Sequence, residues 1–385
     1  MIEKGSADIY LDNNATGVVA RECMEAMLAC LRPGIGNPSS AYAAGMRAKD
    51  LLREARAEVA GLLGARPKEI VFTSSGTEAN HMAILGTLAT RGGRRRIVTS
   101  TVEHPSTLML LRHLEKTGIA VTYLPVDSEG RLAARAVRDA VTADTALVTL
   151  MWANNETGVL FPIPEIAEVT RALAVPLHVD AVQAAGRVPI DLTQVPIETL
   201  SLSGHKLHAP PGAGALFVRK DFKIEPLLWG HQERRMRGGT ENLPAIVGFG
   251  SACALAREDL EAESLRIGRL RADLERGIVE RFPAARIHGA CAPRLPNTSN
   301  IGFGALDGEH IMRAFDRRGV AVALGAACAA GAMDPSHVLT AMGLDRRAAL
   351  SAIRFSFGRY NSEACVGRVL ALLPDILGEV AARAA

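Results

Sequence analysis

The chain has 385 residues, 48% hydrophobic and 22% charged, a mixture that suits two or three folded units and excludes wholesale disorder. Forty-four Lys and Arg against 41 Asp and Glu leave +3, so neither nucleic acid nor a membrane surface is an expected partner. The charged start Met1-Ile2-Glu3-Lys4-Gly5 lacks a secretory pattern and no apolar run is long enough to span a bilayer, so a cytoplasmic location is expected.

From about residue 46 to 255, helical periodicity alternates with short β-branched runs. Met46 to Leu63 places Leu51, Ala55, Val59 and Leu62 on one helical face and ends at Gly64. Glu69–Thr73 predicts a strand, followed by a helix from Gly76 to Leu88. Further strands are expected at 96–100, 121–125, 146–151, 176–180, 199–203 and 213–218. Strands separated by helices predict an α/β unit with a mostly parallel sheet covered on both faces. Near residue 253 the pattern changes. A long amphipathic helix is expected over 257–282, then strands at 300–303, 319–323 and 351–357, and a helix from Pro335 capped by Asp334. The expected organisation is a large domain over 16–255 and a smaller α+β domain formed by 1–15 and 256–385.

Seven of the 44 basic residues are lysines, and none follows Lys223. Lys206 closes the segment Leu200-Ser201-Leu202-Ser203-Gly204-His205-Lys206, just past an apolar strand. A desolvated amine there could attack a carbonyl, although a lysine in a surface loop is the plainer alternative. Asp180 ends another apolar strand, where open α/β sheets bind ligands, and an N-cap role is its plainer alternative. An acid and a Schiff-base lysine are what pyridoxal phosphate requires. Thr73-Ser74-Ser75-Gly76-Thr77-Glu78 could cradle the phosphate at a helix N-terminus, though an ordinary capping box reads the same.

Six scattered cysteines, none in a C-x-x-C pair, form neither a disulfide framework nor a structural zinc site. Five of them, at 23, 30, 253, 291 and 365, read as buried small hydrophobes. Cys328, among small residues and glycines, reads equally as structure or nucleophile. Arg354 alternates with Ile353, Phe355 and Phe357 and so points away from their core face, either to a carboxylate clamp or to an exposed ion pair.

Together these segments resemble the cysteine desulfurases of NifS type, fold-type-I pyridoxal phosphate enzymes of the class V aminotransferase family. The resemblance is carried by Leu11-Asp12-Asn13-Asn14-Ala15-Thr16, Glu103-His104-Pro105, Trp152-Ala153-Asn154-Asn155-Glu156-Thr157-Gly158, His178-Val179-Asp180-Ala181-Val182-Gln183, Leu200 to Pro210, Gly239-Thr240-Glu241-Asn242 and Ile353 to Tyr360. It implies Lys206 as the Schiff-base lysine, Asp180 against the pyridine nitrogen, Gln183 on the phenolic oxygen and His104 stacked on the ring. Gly76, Thr77, Ser203 and His205 would bind the phosphate, completed by Thr240 of a second subunit, so a homodimer is implied. Arg354 and Asn155, with Asn13 nearby, would hold the carboxylate of L-cysteine, and Asn155 also borders the cofactor. Cys328 would take the sulfur as a persulfide, releasing L-alanine and supplying an iron–sulfur scaffold, for nitrogenase above other acceptors. No resident metal is implied, although the persulfide on Cys328 could transiently ligate an iron–sulfur cluster. His104 or the cofactor's surroundings are expected to help deprotonate the thiols. Selenocysteine lyase, another aminotransferase or lyase of this fold, and a non-catalytic sulfur carrier are the competing readings. Three departures stand out: alanines on both sides of Cys328, Pro211 in place of a common lysine, and Gly238 where alanine or serine is usual, in a loop one glycine short.

Overall fold

The computed structural model describes residues 9–32, 34, 36–325 and 334–384. Its central sheet has seven strands, in the order Ile70–Thr73, Gly214–Val218, Thr199–Ser203, Leu177–Asp180, Thr145–Met151, Arg96–Ser100 and Ala120–Leu124. Gly214–Val218 runs antiparallel to both neighbours, while the five strands beyond it pair in parallel. The central strands are buried along their whole length: Thr145–Met151 is largely apolar, while Leu177–Asp180 and Thr199–Ser203 alternate apolar residues with buried polar ones. Asp180, Met151 and Ser203 all lie at the carboxyl ends of their strands.

A second sheet orders Ala323–Leu324, Ala352–Ser356, Thr298–Gly302 and Arg286–Ile287 in antiparallel pairing. Ile9–Tyr10 pairs in parallel with Val320–Ala321, so the expected strand at 319–323 is two short ones broken at Val322. Two main cores result. One gathers side chains from Ala20 to Cys253, with Val338, Leu339 and Met342 packed on it; the other joins Leu11 to Ile267–Val380.

The long helix spans Leu243–Arg281, starting fourteen residues before the expected 257 and linking both cores. Its first fourteen residues are rich in Gly, Ala and Ser, interspersed with large apolar residues on several faces, and so carry little amphipathic signal. The small residues are there for close packing: a Cβ on Gly250 would meet the Ala55 Cα at 2.6 Å. The helix near 335 spans His337–Ala341, and its cap is Ser336, whose hydroxyl accepts from the Leu339 amide, not Asp334. Cys23, Cys30 and Cys253 are buried, but Cys291 is exposed and Cys365 only partly covered, so the core reading fails for these two. No helix among the described residues is long and apolar enough to cross a membrane.

Candidate active site

A cavity of about 220 Å³ opens at the carboxyl ends of the central strands. Gly76, Thr77, His104, Asn155, Asp180, Gln183, Ser203, His205 and Lys206 line it, bringing together segments spread over 130 residues. Strand ends leave backbone and side chains free of the ladder, which is why ligands collect there.

Lys206 follows the Thr199–Ser203 strand in a short 3-10 turn, Gly204–Leu207. Its Nζ donates to the carbonyls of Asn14 and Ala15, each at 2.6 Å. Burial pushes the amine down to about 8, helped by the nearby guanidinium groups of Arg187 and Arg354. The lysine is therefore a usable nucleophile near neutral pH. Sequence reading did not single out Arg187. This arginine donates to the Gln183 carbonyl at 3.0 Å, to the Gln183 Oε1 and to the Lys206 carbonyl at 3.4 Å. With its Oε1 so engaged, Gln183 presents its amide N–H groups, one of which donates to the Asn14 carbonyl at 3.0 Å. Four residues separate Gln183 and Arg187, but the segment around Gly186 shows no regular helix that would have flagged the pair.

The Asp180 carboxylate accepts from Asn80 Nδ2 at 2.7 Å and from the Val182 amide at 3.0 Å. His104 caps the Pro105–Lys116 helix: its Nδ1 accepts from the Ser106 amide at 3.1 Å and lies 2.9 Å from the Ser106 hydroxyl. Burial lowers its pKa, which favours the neutral ring. With Nδ1 occupied, its proton sits on Nε2, which is then a donor and not a ready base for a thiol. Ser75 caps the Gly76–Ala89 helix, and a Cβ on Gly76 would meet Val182 Cγ2 at 2.8 Å and Ser203 Cβ at 3.2 Å. That residue has to be glycine for the helix end to sit against the strand end. Burial, followed by the charge of Lys206, pushes His205 down to about 4, so it too is neutral.

Other expected residues lie elsewhere. Asn13 points away from the cavity, donating to the Ser356 carbonyl at 2.9 Å, and the adjacent Asn14 lines the cavity instead. The flip of one position follows from the Asn13 and Asn14 amides both bonding Ser356, through its carbonyl and its hydroxyl. Arg354 is buried, paired with Asp12 at 2.6 Å and donating to the Asn155 carbonyl at 3.1 Å, while its Nε has no partner among the described residues. It is thus neither exposed nor free: a substrate carboxylate would have to share it with Asp12. Thr240 is exposed and outside the cavity. It sits in a loop tied to the Gly76–Ala89 helix by Arg237, which grips Glu78 at 2.8 and 3.2 Å. Gly238 in that loop leaves no room for alanine or serine, since a Cβ would come within 2.2 Å of the Trp229 carbonyl oxygen. Cys328 and its alanine flanks lie outside the described residues.

The residues that line the cavity fit pyridoxal phosphate in their chemistry. The cavity offers a depressed lysine amine, a carboxylate fixed by two donors, and a helix N-terminus beside Thr77, Ser203 and His205 for an anion.

Residues 9–369 match the family described as aminotransferase class-V. A cysteine desulfurase of Gluconacetobacter diazotrophicus is 47% identical, aligned over 97% of this chain and 94% of its own length. The cysteine desulfurase NifS of Azotobacter vinelandii is 44% identical over 97% of this chain and 94% of its own. Among solved structures, a NifS-like protein superposes with a TM-score of 0.90 at 35% identity, covering 96% of this chain and 99% of that one.

Proposed function

The chain belongs to the class-V aminotransferase family, as a pyridoxal-phosphate-dependent cysteine desulfurase, and from that premise we propose that it moves the sulfur of L-cysteine onto Cys328 and passes it to iron–sulfur cluster assembly. The observation that carries this reading is the convergence of Lys206, Asp180 and the Gly76–Ala89 helix end on one cavity. When bound, pyridoxal phosphate supplies an electron sink conjugated to the substrate's α-carbon. The chain's own residues do the rest. Asp180 would face the ring nitrogen, Gln183 would donate to the phenolic oxygen, and Gly76, Thr77, Ser203 and His205 would hold the phosphate. Lys206, with its amine brought down to about 8, would hold the cofactor and would be the group at hand to take and return the α-proton. Arg354 and Asn155 orient the substrate carboxylate. The Cys328 thiolate attacks the substrate sulfur and the C–S bond breaks; a proton returns to the carbon, so cysteine plus thiol becomes alanine plus persulfide without an external oxidant.

The exposed Thr240 and its ion-paired loop support a homodimer in which Thr240 enters the partner's phosphate site. The likeness to a NifS supports nitrogenase clusters as the destination, through a scaffold protein in the cytoplasm. The test is mass spectrometry after brief incubation of the holoenzyme with L-cysteine, with alanine measured alongside. One added sulfur on the Cys328 peptide together with alanine is expected. Alanine without that adduct would remove Cys328 from the role, and neither product would overturn the activity.

A further inference from the structure

Behind Asp180 lies a buried polar chain that the function above does not use. Asn80, on the Gly76–Ala89 helix, is 1% exposed, and both ends of its amide are engaged. Its Nδ2 donates to Asp180 Oδ2 at 2.7 Å and to the Ser106 hydroxyl at 3.1 Å. Its Oδ1 lies 3.1 Å from Nε2 of His178, whose Nδ1 lies 3.0 Å from the Thr199 hydroxyl. His178 and Thr199 are fully buried. Burial pushes His178 down to about 3, so the ring carries one proton at any working pH. One arrangement satisfies every partner: Thr199 Oγ1–H donates to Nδ1, Nε2–H donates to Asn80 Oδ1, and the Asn80 NH2 is turned toward Asp180. From Asn80 the chain continues through Ser106 to His104 Nδ1.

We propose that Asn80 is a positioning residue for the cofactor ring, its amide fixed by His178 and Thr199 so that it sets the orientation of the Asp180 carboxylate that would face the ring nitrogen and, through Ser106, helps hold His104. This rests on the reading of Asp180 as the partner of the pyridine nitrogen. The Val182 amide holds Oδ1 and Asn80 holds Oδ2, so losing Asn80 frees the carboxylate to rotate about its Cβ–Cγ bond. A hydrogen bond to a charged group is strong enough that its loss lowers cofactor affinity about tenfold or more.

The experiment loads holoenzyme with cofactor labelled with 15N at the pyridine nitrogen and compares wild type, Asn80→Leu, Thr199→Val and Asp180→Asn by nitrogen NMR and by cofactor dissociation. Thr199→Val keeps the strand's shape and removes only the outermost donor, so it serves if Asn80→Leu does not fold. Expected is a nitrogen shift for Asn80→Leu that moves from the wild-type value toward that of Asp180→Asn, with a smaller move in the same direction for Thr199→Val. Cofactor dissociation should rise about tenfold for Asn80→Leu. If Asp180→Asn moves the nitrogen signal while both folded variants match wild type, the positioning role is wrong. If Asp180→Asn itself leaves the signal unmoved, the reading of Asp180 falls, and the role of Asn80 with it.

Discussion

Replacing Arg187 by methionine should raise the pKa of Lys206 and slow its attack on an aldehyde near neutral pH. The amine is brought from 10.5 to about 8 first by burial and next by the charge of Arg187, with Arg354 behind it. A shift of that size corresponds to about 3 kcal/mol favouring the neutral amine, at roughly 1.4 kcal/mol per unit. Burial is the larger cause and survives the substitution, so removing the guanidinium should raise the midpoint without returning it to 10.5. A rise of about one pH unit from about 8 would cut the neutral fraction at about pH 7.5 roughly eightfold. The assay follows the rate at which apoprotein captures pyridoxal phosphate on Lys206 from about pH 6 to pH 10, read as the borohydride-reduced adduct. Arg187→Lys separates charge from shape, since Arg187 also fixes Gln183 and the Lys206 carbonyl. Its midpoint should stay near that of the wild type. A midpoint unmoved in Arg187→Met, or moved equally in Arg187→Lys, would refute the electrostatic account.

Two further predictions concern stability. Burial raises Glu156 from 4.5 to about 7, and its Oε2 accepts from the Ser336 hydroxyl at 2.5 Å. The folded chain holds a proton there that the unfolded chain releases, so stability falls as pH rises from about 4.5 to about 7, by up to about 3 kcal/mol. Glu156→Gln should flatten that fall in urea titrations at pH 5 and pH 8; a variant with the wild-type pH dependence would refute it. Arg56 meets Glu233 through two contacts of 2.6 Å, with side-chain exposures of 11% and 2%, and pins a turn in which Glu233, Arg234 and Arg235 all have positive φ. Arg56→Met leaves a buried carboxylate unpaired and should cost about 3–5 kcal/mol, part of which Arg56→Met with Glu233→Gln should recover. Equal stability of the single and double variants would refute the pairing argument.

Much of this protein was legible along the chain. The run Leu177-His178-Val179-Asp180 reads as a short strand between helical segments that ends in an acid, and the structure buries its polar residues along with its apolar ones. Lys206 stood out because the chain uses arginine almost everywhere else. The residues that tune these two groups did not stand out. Arg187 lies 19 positions from Lys206, Asn80 lies 100 from Asp180, and Arg354 meets Asp12 across 342 residues. A lone Asn or Arg carries no periodicity, so nothing local announces its partner. Likewise, the first half of the Leu243–Arg281 helix escaped notice because its small residues serve a close helix contact, not an apolar stripe. Asn13 and Asn14 could not be told apart by motif, since the bonds of both amides to Ser356 decide which one faces the cavity. Residue types and the succession of strands and helices along the chain thus determined which chemistry is available. Burial depth, charge proximity and hydrogen-bond orientation, which depend on distances through space, decided how each group is tuned.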